Sequence, residues 1–196
     1  MSTFTEISIY LIQAVANFFL LLVLLRFLLQ ICKANFYNPV SQFVVKATAV
    51  PIAPLQKIFP PFKHFNTACV VLALIVQVLA IQGSVLVYNG NLVPIISLLT
   101  WSLVGMGTLL LNIYFYGLFI VIILSWIAPQ SHHPAIALLW QLMDPIMSPF
   151  RKLIPPLGGL DLSPILMFML LNVLRIFVRN LAASAQLPPL FVPGIM

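Results

Sequence analysis

Between Ile7 and Cys32 the chain runs through apolar side chains with Gln13, Asn17, Arg26 and Gln30 as its strongly polar interruptions. A hydrocarbon core about 30 Å thick is crossed by about 20 apolar residues in a helix rising about 1.5 Å per residue. This stretch is long enough, and two others match it, from about Thr67 to Tyr88 and from about Leu162 to Ala185. A further run, Leu92 to Pro129, would make a helix of about 55 Å, too long for one ordinary span. Composition leaves little alternative to a membrane. Only nine Lys and Arg and three Asp and Glu serve 196 residues, of which 62% are hydrophobic. A soluble fold of this length could not cover its surface with twelve charged side chains, since ordinary globular chains carry roughly 25%.

The ambiguous third run is resolved by an internal repeat. Displacing the sequence by 95 positions without a gap sets Pro39 on Pro134, Pro54 on Pro149, Lys57 on Lys152, and Pro60-Pro61 on Pro155-Pro156. The same offset pairs Asn17 with Asn112, Gln77 with Asn172, and Asn66 with Asp161. The expected fold is therefore an all-α membrane protein with four transmembrane helices arranged as two tandem hairpins. Residues 1–94 form the first repeat, with spans at about 7–32 and 67–88. Residues 95–196 form the second, with spans at about 102–128 and 162–185. Residues 90–101 are then an outer linker, with a short interfacial segment from Pro94 to Trp101. Glu6 and no Lys or Arg precedes the first span, and that run is too long for the core of a signal peptide, so the first helix is expected to stay in the mature protein.

Charge sets the expected orientation. The loop from Lys33 to Phe65 carries Lys33, Lys46, Lys57 and Lys63, and its counterpart from Gln130 to Leu160 carries Arg151 and Lys152. The connection from Asn89 to Leu92 is uncharged. By the positive-inside rule both long loops face the cytoplasm and both termini the periplasm, which makes the copies parallel repeats about the membrane normal. The net charge of +6 is used in this way, and nucleic acid is not an expected direct partner. Cys32 and Cys69 fit no metal-ligand spacing, and His132-His133 read as a solvated turn, so no metal or cofactor is expected.

Each loop opens at its matched proline, a favourable first helical residue. Surface helices of about 39–50 and 134–144 follow, with Val40, Phe43, Val44 and Ala47, and Ile136, Leu139, Trp140 and Met143, at helical spacing. They are too short to span and suit the membrane surface. Pro51, Pro54 and Pro60, and Pro145, Pro149 and Pro155, then predict stiff segments in which regular helix is blocked. They read either as rigid connectors or as a docking surface for protein or lipid headgroups.

The stretch Phe36-Tyr37-Asn38-Pro39-Val40-Ser41-Gln42-Phe43-Val44-Val45-Lys46 carries a resemblance. So does the second copy's Asp144-Pro145, continuing through Pro149-Phe150-Arg151-Lys152 to Pro155 and Asp161-Leu162-Ser163-Pro164. Together they resemble the YggT family, which is similar to bacterial YlmG proteins and chloroplast relatives, over nearly the whole chain. The resemblance implies a multi-pass protein of the bacterial inner or thylakoid membrane without established enzymatic activity. It also implies an association with cell division, nucleoid or membrane organisation, or osmotic stress. The candidate loop residues are Asn38, Pro39, Gln42, Lys46, Pro54, Lys57, Pro60, Asp144, Pro145, Pro149, Arg151, Lys152, Pro155 and Asp161. The first copy lacks the Asp-Pro pair and has Lys63-His64-Phe65-Asn66 where the second has Gly158-Gly159-Leu160-Asp161, so a role for the Asp rests on the second copy alone.

Inside the spans the candidates are Asn17, Gln77, Asn112, Asn172, Arg175 and Arg179, since polar groups in a bilayer are costly. The amides at matched depths predict hydrogen bonds between helices or, alternatively, a polar path along the repeat axis. Arg26 is expected to snorkel to the inner headgroups, and Arg175 has no partner evident in the sequence. The leading expectation is a non-enzymatic scaffold in contact with the bilayer, with membrane or cytoplasmic-face proteins as partners and oligomers open. The runner-up is a small transporter or channel component using the amides and Arg175.

Overall fold

The computed structural model describes residues 2–128, 131–153 and 163–192. The chain forms α1 (Thr3–Ile31), α2 (Pro39–Ile58), α3 (Thr67–Asn89), α4 (Ile95–Ile127), α5 (Pro134–Leu153) and α6 (Ser163–Ser184), then a 3-10 turn at Pro189–Phe191. Four of these, α1, α3, α4 and α6, are long and apolar enough to cross a membrane. Their ends follow local chemistry. Ser2 and Asn66 cap α1 and α3 by accepting from the Thr5 and Cys69 amides. Gly90 ends α3 at a φ of 72°, a left-handed turn that only glycine adopts without steric cost.

The bounds differ from expectation in two places. First, α4 begins at Ile95, so residues expected as a linker up to Trp101 belong to a helix of 33 residues. No proline or glycine interrupts 95–101, and Leu98 and Trp101 pack into a cluster with Ile81, Val85 and Ala182. At about 50 Å the helix exceeds the hydrocarbon thickness, so part of it stands in the headgroup layer or the helix tilts. Second, the prolines do not stop the surface helices. Pro51 and Pro54 lie within α2, and Pro145 and Pro149 within α5. Each proline removes one intrahelical donor. Pro54, Pro145 and Pro149 are exposed, as are Ala47 and Val50, whose carbonyls lose their partners to Pro51 and Pro54, so the broken stretch of α2 lies on its outer side.

The helices pack as antiparallel neighbours. Leu20, Val23 and Leu24 of α1 meet Ala68, Cys69, Leu72 and Ala73 of α3, with Ile52 of α2 closing one end. Phe115 of α4 stacks edge-on with Phe168 of α6 at 5.2 Å between centroids. A third cluster seats Leu187, Phe191 and Val192, the segment after α6, on α3 and α4. Trp101 Nε1 donates to the Ala185 carbonyl at 2.8 Å across the same end. α2 and α5 both lie at the opposite end, where α1 and α4 finish. Only 17% of the most apolar window of α4 and of α6 is buried, against 33% in α1 and 39% in α3. The second pair of spans therefore depends more on a surrounding apolar phase.

Candidate docking platform

α2 is amphipathic. Ser41, Val44, Thr48 and Ile52 are buried, while Phe43, Ala47, Val50, Pro54 and Lys57 form an exposed stripe at helical spacing, with Lys46 beside it. On α5, Leu138, Leu142, Met143 and Met147 are buried, and Pro145, Pro149 and Lys152 form the exposed stripe. These three stand 95 positions after Val50, Pro54 and Lys57. Lys57 in the last turn of α2, and Arg151 and Lys152 in that of α5, complement the negative ends of their helix dipoles.

The two helices start side by side. Asn38 Oδ1 accepts from the Val40 amide at 2.9 Å and caps α2, while its Nδ2 donates to the Pro134 carbonyl at the start of α5, 2.7 Å away. Gln141 Oε1 accepts the Asn35 amide at 2.8 Å. Buried Val44 of α2 and Leu138, Leu142 and Met147 of α5 share one apolar cluster with Leu28 and Leu29 of α1. Gly117 of α4 leaves the room that Met143 occupies, since a Cβ there would collide with the Met143 thioether. Phe36 and Tyr37 stand exposed beside this seam.

The remaining loop candidates divide. Pro39 occupies the first turn of α2, and the Gln42 amide donates to the Asn38 carbonyl at 3.0 Å. Pro60 is exposed, and its carbonyl accepts from Thr67 Oγ1 at 3.0 Å. Asp144 pairs with Arg151 at 2.5 Å on the exposed side of α5. With the carboxylate 61% exposed, such a pair contributes about 0–1 kcal/mol and chiefly holds two side chains in place. Pro155 and Asp161 lie outside the described residues.

Within the spans the amides do not pair as the repeat predicts. Asn17 Nδ2 donates to the Gln13 carbonyl of its own helix at 2.8 Å, and Asn172 Nδ2 to the Phe168 carbonyl at 2.9 Å, with Asn172 exposed. The link between α1 and α3 is instead Gln13, whose Nε2 donates to Ser84 Oγ at 2.8 Å. Gln13 has no amide at the matching position, since its counterpart is Thr108, which bonds back to the Val104 carbonyl of its own helix. Gln77 is buried against Gly105 of α4, where a Cβ would strike its carboxamide. Arg175 does have a partner. Its Nη2 donates to Asn112 Oδ1 at 2.6 Å, and the guanidinium lies 3.7 Å from the Phe115 ring centroid. Arg179 is exposed on α6. Arg26 does not simply snorkel: its Nη1 donates to the Val45 carbonyl and to Thr48 Oγ1, both at 3.0 Å, and so ties α1 to α2. Among the described residues, no group of three or more His, Cys, Asp or Glu is placed to hold a metal ion.

Comparison with known proteins places this geometry. The pattern describing the CCB3/YggT family matches residues 5–86 and again residues 95–182. An uncharacterised protein of Pseudomonas aeruginosa is 45% identical over 183 residues, covering 92% of this chain and 93% of the relative. The uncharacterised protein YggT of Escherichia coli K12 is 35% identical over 189 residues, 95% of each chain. The chloroplastic YlmG homolog protein 2 of Arabidopsis thaliana is 48% identical over 62 residues, 32% of this chain and 24% of the relative. No solved structure matches significantly. The two matched segments together take in all four apolar helices and both surface helices, and the chain belongs to the CCB3/YggT family.

Proposed function

We propose that this chain is a non-enzymatic scaffold of the bacterial cytoplasmic membrane whose surface helices α2 and α5 form one docking platform on the cytoplasmic side. The observation that carries the reading is the seam at Asn38 and Gln141, which joins helices from the two halves and leaves apolar and cationic stripes uncovered by any described part of the chain. A tandem duplication supports it: α2 and α5 start 95 positions apart, and the family pattern matches twice. Lys33, Lys46, Lys57, Lys63, Arg151 and Lys152 all belong to the end of the bundle that carries the platform, which favours a cytoplasmic platform and periplasmic termini. The occupants are acidic or amphipathic segments of other membrane or cytoplasmic-face proteins, in keeping with roles in division, nucleoid or membrane organisation, or osmotic stress. The transporter alternative has less support, because Asn17 and Asn172 bond within their own helices and Arg175 is held by Asn112 and Phe115.

Photocrosslinkers placed at exposed Phe43 and Pro149, and at buried Val44 as control, test the platform in living cells. Discrete protein adducts from the two exposed sites, lost when Lys46 and Lys57 are both changed to Glu, are expected. Absence of adducts at both exposed sites, or equal adducts at Val44, would refute docking there.

A further inference from the structure

Between the end of α1, α2 from Ser41 to Gln56 and the loop leading into α3 lies an open cleft of about 560 Å³, within the usual size range of small-ligand sites. Its polar lining includes Arg26, Gln30, Lys33, Ser41, His64 and Asn66, and no carboxylate lines it. Ser41 is 2% exposed, and among the described residues its hydroxyl has no hydrogen-bond partner. A buried hydroxyl left unmatched is destabilising, and a rotation of the Ser41 side chain toward the cleft it lines would let it donate to an acceptor seated there. Of the Arg26 guanidinium, Nη1 alone is engaged by α2. Gln30 accepts from Asn66 Nδ2 at 3.0 Å through its oxygen, which leaves its N–H groups to donate.

The surrounding backbone has the same polarity. Ser41 stands in the first turn of α2, and Asn66 caps α3, so two helix N-termini border the cleft. The opposing end of α1 is neutralised locally, since the Cys32, Ala34 and Lys33 amides take up the carbonyls of Leu28, Leu29 and Gln30. Guanidinium, ammonium, hydroxyl and amide donors beside helix N-termini, with no acid among them, match the chemistry of a phosphate.

The second half provides an internal comparison. At the 95-residue offset, Arg26, Lys33, Ser41 and Thr48 become Val121, Ala128, Ile136 and Met143. Val121 and Met143 are buried in the apolar cluster of α5, so these polar donors belong to the first half alone.

We propose that this cleft binds a phosphate group, carried either by an anionic lipid headgroup at the membrane surface or by a free phosphate from the aqueous side. The cleft stands independently of the docking platform.

The test uses the full chain in phosphatidylcholine nanodiscs, with thermal unfolding followed during titration of inorganic phosphate, and in parallel discs containing phosphatidylglycerol. Saturable stabilisation is expected from at least one probe. Stabilisation by phosphate in phosphatidylcholine discs identifies the free anion as the source. Stabilisation by phosphatidylglycerol that added phosphate does not mimic identifies the headgroup. Lys33→Gln and Ser41→Ala should each weaken the effect about tenfold, the scale of one charge-assisted hydrogen bond. Ser41→Ala should also raise the ligand-free melting temperature, because it removes an unmatched hydroxyl. Lys63→Gln removes the same charge from the neighbouring loop between α2 and α3, at a residue outside the lining, and should weaken binding less than twofold. The proposal is overturned if neither probe stabilises the protein, if Ser41→Ala and Lys33→Gln bind as the parent does, or if Lys63→Gln weakens binding as much as Lys33→Gln.

Discussion

Asn38 performs two separable tasks, and substitutions can divide them. Its Oδ1 caps α2 through the Val40 amide, and its Nδ2 reaches across the seam to the Pro134 carbonyl. Losing an N-cap costs about 1 kcal/mol, and losing one hydrogen bond about 0.5–1.5 kcal/mol. Because Asn38 is only 7% exposed, solvent does little to replace either bond. Asn38→Ala should therefore destabilise the fold by about 2 kcal/mol, the sum of the two losses. Asn38→Ser keeps a capping oxygen but cannot reach Pro134, and should cost about 1 kcal/mol. Reversible denaturation in mixed micelles supplies the energies, and amide hydrogen exchange supplies the location. In the serine variant the first turn of α2 should keep its protection while the start of α5 exchanges faster. In the alanine variant both should exchange faster. Equal energies for the two variants, or exchange at α5 unchanged in both, would show that Asn38 does not hold the seam together.

Further predictions concern the spans and the orientation. Gly105→Ala gains about 1 kcal/mol of helix propensity but forces a Cβ into buried Gln77, an overpacking cost of about 1–3 kcal/mol. Thermal unfolding should thus show Gly105→Ala neutral to destabilising and Gly107→Ala, with open space around it, stabilising. Removing the carboxamide by Gln77→Ala should turn Gly105→Ala stabilising, and identical behaviour of the two glycines would refute the close contact. A double-mutant cycle of Asn112→Ala with Arg175→Leu should give a coupling of about 1 kcal/mol, on the scale of hydrogen bonds between transmembrane helices. Zero coupling would mean that the pair is not formed in the membrane. Thr48→Val removes one acceptor of Arg26 and should cost about 1–2 kcal/mol while leaving the Val45 carbonyl bonded, and a smaller loss than 0.5 kcal/mol would make the link between α1 and α2 dispensable. Single cysteines at exposed Lys46 and Lys152 should resist impermeant thiol reagents in intact cells, while one at Asn91, between α3 and α4, should label. The opposite pattern would invert the orientation. Native Cys69, fully buried, cannot serve as this reporter.

The helical class and the presence of four long apolar helices were legible in the sequence, because about twenty consecutive apolar residues have few other solutions than a bilayer crossing, whereas the start of α4 at Ile95 was not. Pro39 and Pro134 marked the starts of α2 and α5 correctly, since a first-turn proline loses no intrahelical bond. Internal prolines misled for a related reason. Their cost depends on which carbonyls are left free and whether water or headgroups can reach them, and only tertiary packing decides which side of a helix faces out.

The candidate site was partly readable for the same reason. Repetition drew attention to Pro39, Lys57 and Pro149, all of which stand on α2 or α5, but it is silent on every feature that belongs to one half only. Gln13 with Ser84, Arg26 with Thr48, and the unpartnered Ser41 lie on positions whose counterparts are Thr108 and Arg179, Val121 and Met143, and Ile136. A linear sequence fixes how polar a residue is and its position along a helix. Whether that group meets a donor, an aromatic ring or an open cleft depends on the rotation and spacing of helices about their axes, which side-chain packing sets. Apolar length thus marked the four long helices from sequence alone, while the start of α4, the seam between α2 and α5 and the polar cleft beside Ser41 were decided only in three dimensions, by the packing of side chains.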